Sequence, residues 1–255
     1  MSAPTLFSLQ GYLRTAPILS DGSIGALRWV GNVPEATLQL NTDATDKNES
    51  FSGKRLQIGR ITTSTTAAFN YTMDYWSSAN LALAFNASEQ DIAASTVTAE
   101  QFPADLIAGD LVRLAHPFVT GLTITDSASG TPATVPETNV ALDSTAHSAN
   151  VARIIDPASF VQPFKAAYSY AAAKNLVLFS QLGKPVYLQF DGINTETDEP
   201  VLIEMWKVRH NPIAELALIH QEYGNLAMTS AVLFDTTRDA DPALGGFGRL
   251  LQKAG

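Results

Sequence analysis

Cysteine is absent from all 255 residues. That absence excludes a disulfide framework, a thiol nucleophile and thiolate-ligated zinc. Charge is also scarce. Only 16% of residues are charged, with 16 basic and 25 acidic side chains and a formal net charge of −9. A protein that grips nucleic acid needs clustered Lys and Arg to displace counterions, and this scattered set does not supply them. No apolar run approaches the ~20 residues of a membrane-spanning helix. The start, Met1-Ser2-Ala3-Pro4, lacks the basic-then-apolar pattern of a secretory signal. The expectation is a soluble chain made in a cytoplasm.

Catalytic signatures are missing as well. Gly22-Ser23-Ile24-Gly25 lacks the spacing of a nucleophile elbow, and Gly53-Lys54 is not followed by Ser or Thr as a phosphate loop requires. Gly246-Phe247-Gly248 has no third glycine. The four histidines, His116, His147, His210 and His220, show no paired metal-ligand spacing. The acidic run over 191–199 is oxygen-rich like a calcium loop but lacks the EF-hand positions, and reads as a solvated hairpin turn. Asp235, Asp239 and Asp241 read as a charged tail. No cofactor or metal site is expected, and no enzymatic activity.

What is present is a period of two. Over 67–75, Ala67, Phe69, Tyr71, Met73 and Tyr75 alternate with Ala68, Asn70, Thr72 and Asp74, the pattern of a half-buried strand. Residues 186–190 and 201–209 read as two more strands joined by a turn at Asp191-Gly192-Ile193-Asn194. Further strands are expected near 37–40, 110–115, 164–170 and 226–234. Helix is the minority. Ser77 and Ser78 cap a short helix over 79–85, and a second is expected over 171–182 before Gly183 and Pro185. Residues 213–223, between Asn211-Pro212 and Gly224, read equally as helix or strand. Two stretches follow neither period. Residues 41–59 form a long polar loop, and such loops are functional or disordered more often than structural. Residues 117–163 are rich in Ser, Thr and Ala and read as an insertion of one or two hairpins.

These elements, in this order, resemble phage tail tube proteins. The N-terminal half of the resemblance lies in Trp29-Val30-Gly31-Asn32-Val33, the polar loop with Ser52-Gly53, and the run from Asn80 to Phe85. The C-terminal half lies in Lys165 to Tyr170, Phe190 to Asn194, the strand through Trp206, Asn211-Pro212 to Gly224, and Val232 to Asp235. The resemblance is to the tubes of long, non-contractile tails. It implies one mainly-β domain over 1–255, a β-sandwich or barrel-like fold with a flanking short helix. It implies hexameric rings with a continuous inner β-barrel, stacked into a tube that conducts DNA without binding it specifically. The tape measure, tail terminator and tail-tip proteins are the implied partners, and the virion tail the location. The loop at 41–59 is then the inter-ring element, with Asp43, Asp46 and Glu49 facing basic groups of the next ring and Lys54 and Arg55 its carboxylates.

A carbohydrate-binding or adhesive β-sandwich is the alternative. It needs aromatic side chains in an exposed groove. Trp29, Trp76 and Trp206 are available for that, although their sequence contexts point to core packing.

Overall fold

The computed structural model describes residues 6–253 except 182. The chain is mainly β, with 4% helix. It forms two compact units, one of Met1–Glu89 with Leu176–Gly255, the other of Gln90–Asn175.

The first unit begins with β1 (Leu9–Pro17), β2 (Arg28–Trp29), β3 (Ala36–Asn48), β4 (Gln57–Met73) and helix α1 (Ser78–Ala84). The chain leaves through β5 (Ser88–Ile92). The second unit carries β6 (Ser95–Gln101), β7 (Leu111–Arg113), β8 (Val119–Thr125), β9 (Thr134–Val135), β10 (Val140–Leu142), β11 (Val151–Ile154) and β12 (Lys165–Tyr170). Strand β13 (Ala173–Val177) pairs with β5 and returns the chain. The first unit then resumes with β14 (Val186–Asn194), β15 (Glu199–His210), β16 (Leu226–Met228), β17 (Ser230–Val232), α2 (Thr236–Asp239) and β18 (Gly248–Gln252).

Nine strands of the first unit make one strongly curled, half-barrel sheet in the order β16-β4-β17-β15-β14-β1-β2, with β18 on β15 and β3 on β4. The alternation over 67–73 acts as the sequence predicts. Ala67, Phe69, Tyr71 and Met73 point into a core with Leu13, Leu188, Met205, Val208 and Met228. Helix α1 closes that core with Leu81 and Ala84. Ser77 caps it, accepting from the Asn80 amide at 3.2 Å. Buried Asn80 ties three segments together. Its Nδ2 donates to the carbonyls of Val30 (2.8 Å) and Tyr75 (2.9 Å), and its Oδ1 accepts from Arg28 at 2.6 Å. Curling brings β1 and β14 very close where Gly11 faces Gly192. A Cβ on Gly11 would lie 2.4 Å from the Asp191 carbonyl oxygen, so only glycine permits this crossing.

The second unit is a small antiparallel sandwich. Sheets β6-β12-β8-β9 and β10-β11-β7 share a core that includes Phe102, Leu114, Ile124, Ile154, Phe164 and Tyr168. The unit is wider than the 117–163 insertion read from the sequence, and it has a core of its own. Lys165–Tyr170, one of the segments behind the family resemblance, is its strand β12 and not part of the main sheet.

Several expectations need correction. Residues 173–177 are strand, not helix, because pairing with β5 overrides the helical preference of the alanines; residue 182 lies outside the described residues. The turn between β14 and β15 falls at 195–198, after the strand has run through Asp191 to Asn194. Residues 213–223 take neither regular form. The C-terminal acidic stretch is not a tail. Asp235 is buried, caps α2 and pairs with Lys207 at 3.0 Å, and β18 beyond it joins the sheet.

One polar pair lies inside the first unit's core. The Tyr71 hydroxyl is 2.7 Å from His210 Nε2, and His210 Nδ1 is buried with no hydrogen-bond partner among the described residues. Burial pushes the Tyr71 phenol up and the His210 imidazole down to about 4. The phenol therefore donates and the imidazole stays neutral at pH 7. His210 ionises more readily when unfolded, so its contribution is complete above pH 6.5 and is lost as pH falls toward about 4. Urea unfolding is expected to show about 2 kcal/mol less stability at pH 5 than at pH 7 from this residue. His210→Gln should remove that increment, and an unchanged pH dependence would contradict the assignment.

Candidate assembly surface

Residues 36–73 form a long hairpin that belongs to the core at only one end. Strand β3 pairs with β4 in register from Ala36↔Tyr71 to Asn48↔Gln57, with irregularities at Asp43/Ala44 and Lys47/Asn48. Strand β4 also meets β16 and β17, but only through residues 67–73. Below that point, from Asn41↔Thr66 to the turn, the two strands pair only with each other among the described residues. Each contributes about eight residues or more, a reach of roughly 25 Å.

The local sequence explains why this arm is β and why it has no hydrophobic period. The run Ile61-Thr62-Thr63-Ser64-Thr65-Thr66 is mostly β-branched and favours extended backbone. Neither face of the arm is buried within its own chain, so no alternation is required. Across the pair, Ser64 Oγ donates to Asp43 at 2.7 Å and Gln57 Nε2 to Asp46 at 2.7 Å. Asp46 also lies 3.8 Å from Arg60, but both groups are exposed and the pair adds little. Leu40, Ile58 and Ile61 are all more than half exposed.

The turn is organised by one carboxylate. Glu49 is only 4% exposed. It accepts from the amides of Phe51 (3.0 Å), Ser52 (2.8 Å) and Leu56 (3.4 Å) and from the Ser52 hydroxyl. Those donors, the Ser52 hydroxyl first, hold its carboxyl down to about 2. Gly53 and Arg55 adopt positive φ to close the turn. Phe51 is left 85% exposed at the end of the arm.

The structure thus brings all five sequence-selected residues onto one hairpin, but not in equivalent roles. The 41–59 stretch is ordered strand and turn, not a structureless loop. Asp43 and Asp46 bond across the arm. Glu49 is consumed by its own turn. Lys54 and Arg55 are exposed and form no ion pair among the described residues.

A second surface was not selected correctly from the sequence. Trp206 is in the interior as expected, its Nε1 donating to the Gly245 carbonyl at 2.9 Å. Trp29 and Trp76 are not. Tyr12, Trp29 and Tyr75 stack edge to face, with ring centroids 5.7 Å apart in each pair, and about half of each ring residue is exposed. Trp76 beside them is 70% exposed. The signal was the density of aromatics in Tyr75-Trp76 next to a strand end.

Residues 6–251 match a family described as protein of unknown function UCP028589. The chain belongs to that family. No curated protein matches it. For this UCP028589 member, no helix among the described residues is long and apolar enough to cross a membrane, and they hold no cluster of three or more His, Cys, Asp or Glu placed to bind a metal.

The Glu49 arrangement carries a test. Glu49→Gln keeps the size and removes the charge that gathers the turn amides, so the turn loosens. Trypsin cleavage after Lys54 and Arg55 should then rise severalfold while the rest of the chain resists. Because its folded carboxyl titrates below the ordinary 4.5, the contribution is complete above that pH and lost as pH falls through about 2. Unchanged cleavage in the variant would contradict the role.

Proposed function

We propose that this chain is a structural subunit that polymerises with copies of itself, as the building block of a phage tail tube. In this reading six copies close a ring, rings stack, and the tube conducts DNA into a host without reading it. Tape measure, terminator and tail-tip proteins are its partners, and the virion tail is where it acts.

The arm is the observation that carries the proposal. A two-stranded ribbon in water is marginally stable by itself. This one leaves apolar side chains and the outer backbone edge of β3 uncovered, and an unpaired edge is a template for another chain. A second copy that covers the arm resolves both problems, and a closed assembly leaves no edge over. The net charge of −9 agrees with a conduit that does not hold phosphates.

The exposed Trp29 and Trp76 favour a second reading, a carbohydrate-binding module, since sugar grooves need such rings. Size in solution separates the two.

Purified protein at high concentration, after prolonged incubation, is expected to give rings or tubes by negative-stain microscopy. Thr42 and Thr65 are register partners. Replacing residues 43–64 by Asn-Gly therefore closes the hairpin at its base with a two-residue turn. That variant should keep the thermal midpoint of the core and remain monomeric. A wild-type protein that stays monomeric and shifts on adding oligosaccharide supports the second reading. A shortened variant that assembles as well as wild type removes the arm from the account.

A further inference from the structure

An apolar groove of about 470 Å³ lies at the far end of β4 from the arm tip. Its walls include Met73, Tyr75, Trp76, Leu216, Tyr223 and Leu226. Tyr223 is fully exposed and Trp76 largely so, although both border the groove. Asp74 also lines it, and Glu215 and Glu222 sit next in sequence to lining residues. Between 211 and 228 there is no Lys or Arg. The groove is thus aromatic in its walls, is lined by Asp74 and His220, and has the exposed Glu215 and Glu222 one residue away along the chain.

The arm tip has the opposite character. Phe51 and Leu56 are both exposed, and the exposed Lys54 and Arg55 lie between them in the turn. The acidic residue of the turn, Glu49, stays ionised but is folded inward, its carboxylate taken up by the hydrogen bonds of its own turn. The tip therefore presents an exposed aromatic ring together with two exposed cations. A phenyl ring is smaller than the groove volume of about 470 Å³, and guanidinium and ammonium groups are attracted both to aromatic faces and to carboxylates.

The tip cannot reach the groove of its own chain. The turn precedes Gln57, the groove begins at Met73, and the 17 residues of β4 hold them apart. At about 3.3 Å per residue that separation is roughly 50 Å. Donor and acceptor thus lie at opposite ends of one strand. Such a contact is head-to-tail, and head-to-tail contacts propagate from copy to copy.

We infer that the β3–β4 tip of one copy seats Phe51 in the aromatic groove beside Met73 and Tyr223 of another copy, with Lys54 and Arg55 against Asp74 and the nearby Glu215 and Glu222. This rests on the self-assembly reading and specifies which surfaces meet. The occupant is a second copy of this chain, chosen over a foreign ligand because an exposed aromatic ring with cations and an aromatic groove with carboxylates are both present on the chain itself.

A cysteine-free chain makes the test direct. Phe51 and Tyr223 are both exposed, so Phe51→Cys and Tyr223→Cys should spare the fold, and melting curves check this. The double variant, assembled and then oxidised, is expected to give a ladder of disulfide-linked multimers on non-reducing gels. Phe51→Cys alone, and Phe51→Cys with Ile107→Cys on the exposed surface of the second unit, should give none. Charge exchange gives an independent readout. Lys54→Glu with Arg55→Glu should lower the assembled fraction at least tenfold, and adding Glu215→Lys with Glu222→Lys should restore it. Assemblies visible by microscopy without a ladder, or with an equal ladder in the Ile107 control, overturn this contact while leaving self-assembly standing. Normal assembly of the Lys54→Glu, Arg55→Glu protein does the same. Failure of the wild-type chain to assemble at all overturns both.

Discussion

Strand β4 runs through two environments, and that continuity is the constraint on which the first unit depends. Over its last seven residues, Ala67, Phe69, Tyr71 and Met73 are locked into the core, and β16 and β17 supply hydrogen bonds on the side away from β3. Over its first ten, the same strand has one partner and no covered face. Backbone pairing alone does not stabilise a ribbon, since the strand–water bonds it replaces are nearly as good. The buried half therefore sets the direction, twist and register of the exposed half. In the proposed assembly a second copy supplies the burial that the exposed half lacks.

The groove and the aromatic cluster are placed by the same strand. Tyr75 and Trp76 follow β4 directly, and Asn80 holds the Tyr75 carbonyl through its side-chain amide while also fixing Val30 and Arg28. The rings are thus presented from a rigid base even though they face water. Large aromatic area exposed to water is costly unless it has a use, and clusters of this kind mark contact surfaces. The second unit, with its separate core, is organised without any of these residues.

Much of this was legible in the sequence where a side chain alternates between water and core. Residues 67–73 are assigned correctly for that reason, 186–190 and 201–209 as strands without a clean division of faces, and Ser77 announces α1 through ordinary capping chemistry. The arm was not legible as a hairpin because its burial is not within the chain. Thr, Asp and Asn on both faces leave no period to detect, so a ribbon reads as a loop. Residues 171–177 misled through alanine, whose helical preference is a fraction of a kilocalorie per residue and yields to strand pairing. Residues 213–223 carry a cap, a first-turn Pro and a stopping Gly. Yet Ile213 and Leu216 pack on the core while Leu218 and Ile219 face water, a division that suits irregular backbone. Of the five residues selected for inter-subunit contact, Lys54 and Arg55 keep that availability. Glu49 does not, because a carboxylate two residues before a chain of free amides becomes their acceptor.

The central claim is that the arm is not self-sufficient and gains its burial from another copy. Hydrogen–deuterium exchange of the free and assembled protein tests it most directly. The amides of 41–48 and 57–66 should exchange rapidly in the free subunit and slow at least tenfold on assembly, while those of 67–73 stay protected in both. Arm amides that are already as protected in the free subunit as 67–73, or that stay fast in the assembled protein, would contradict it.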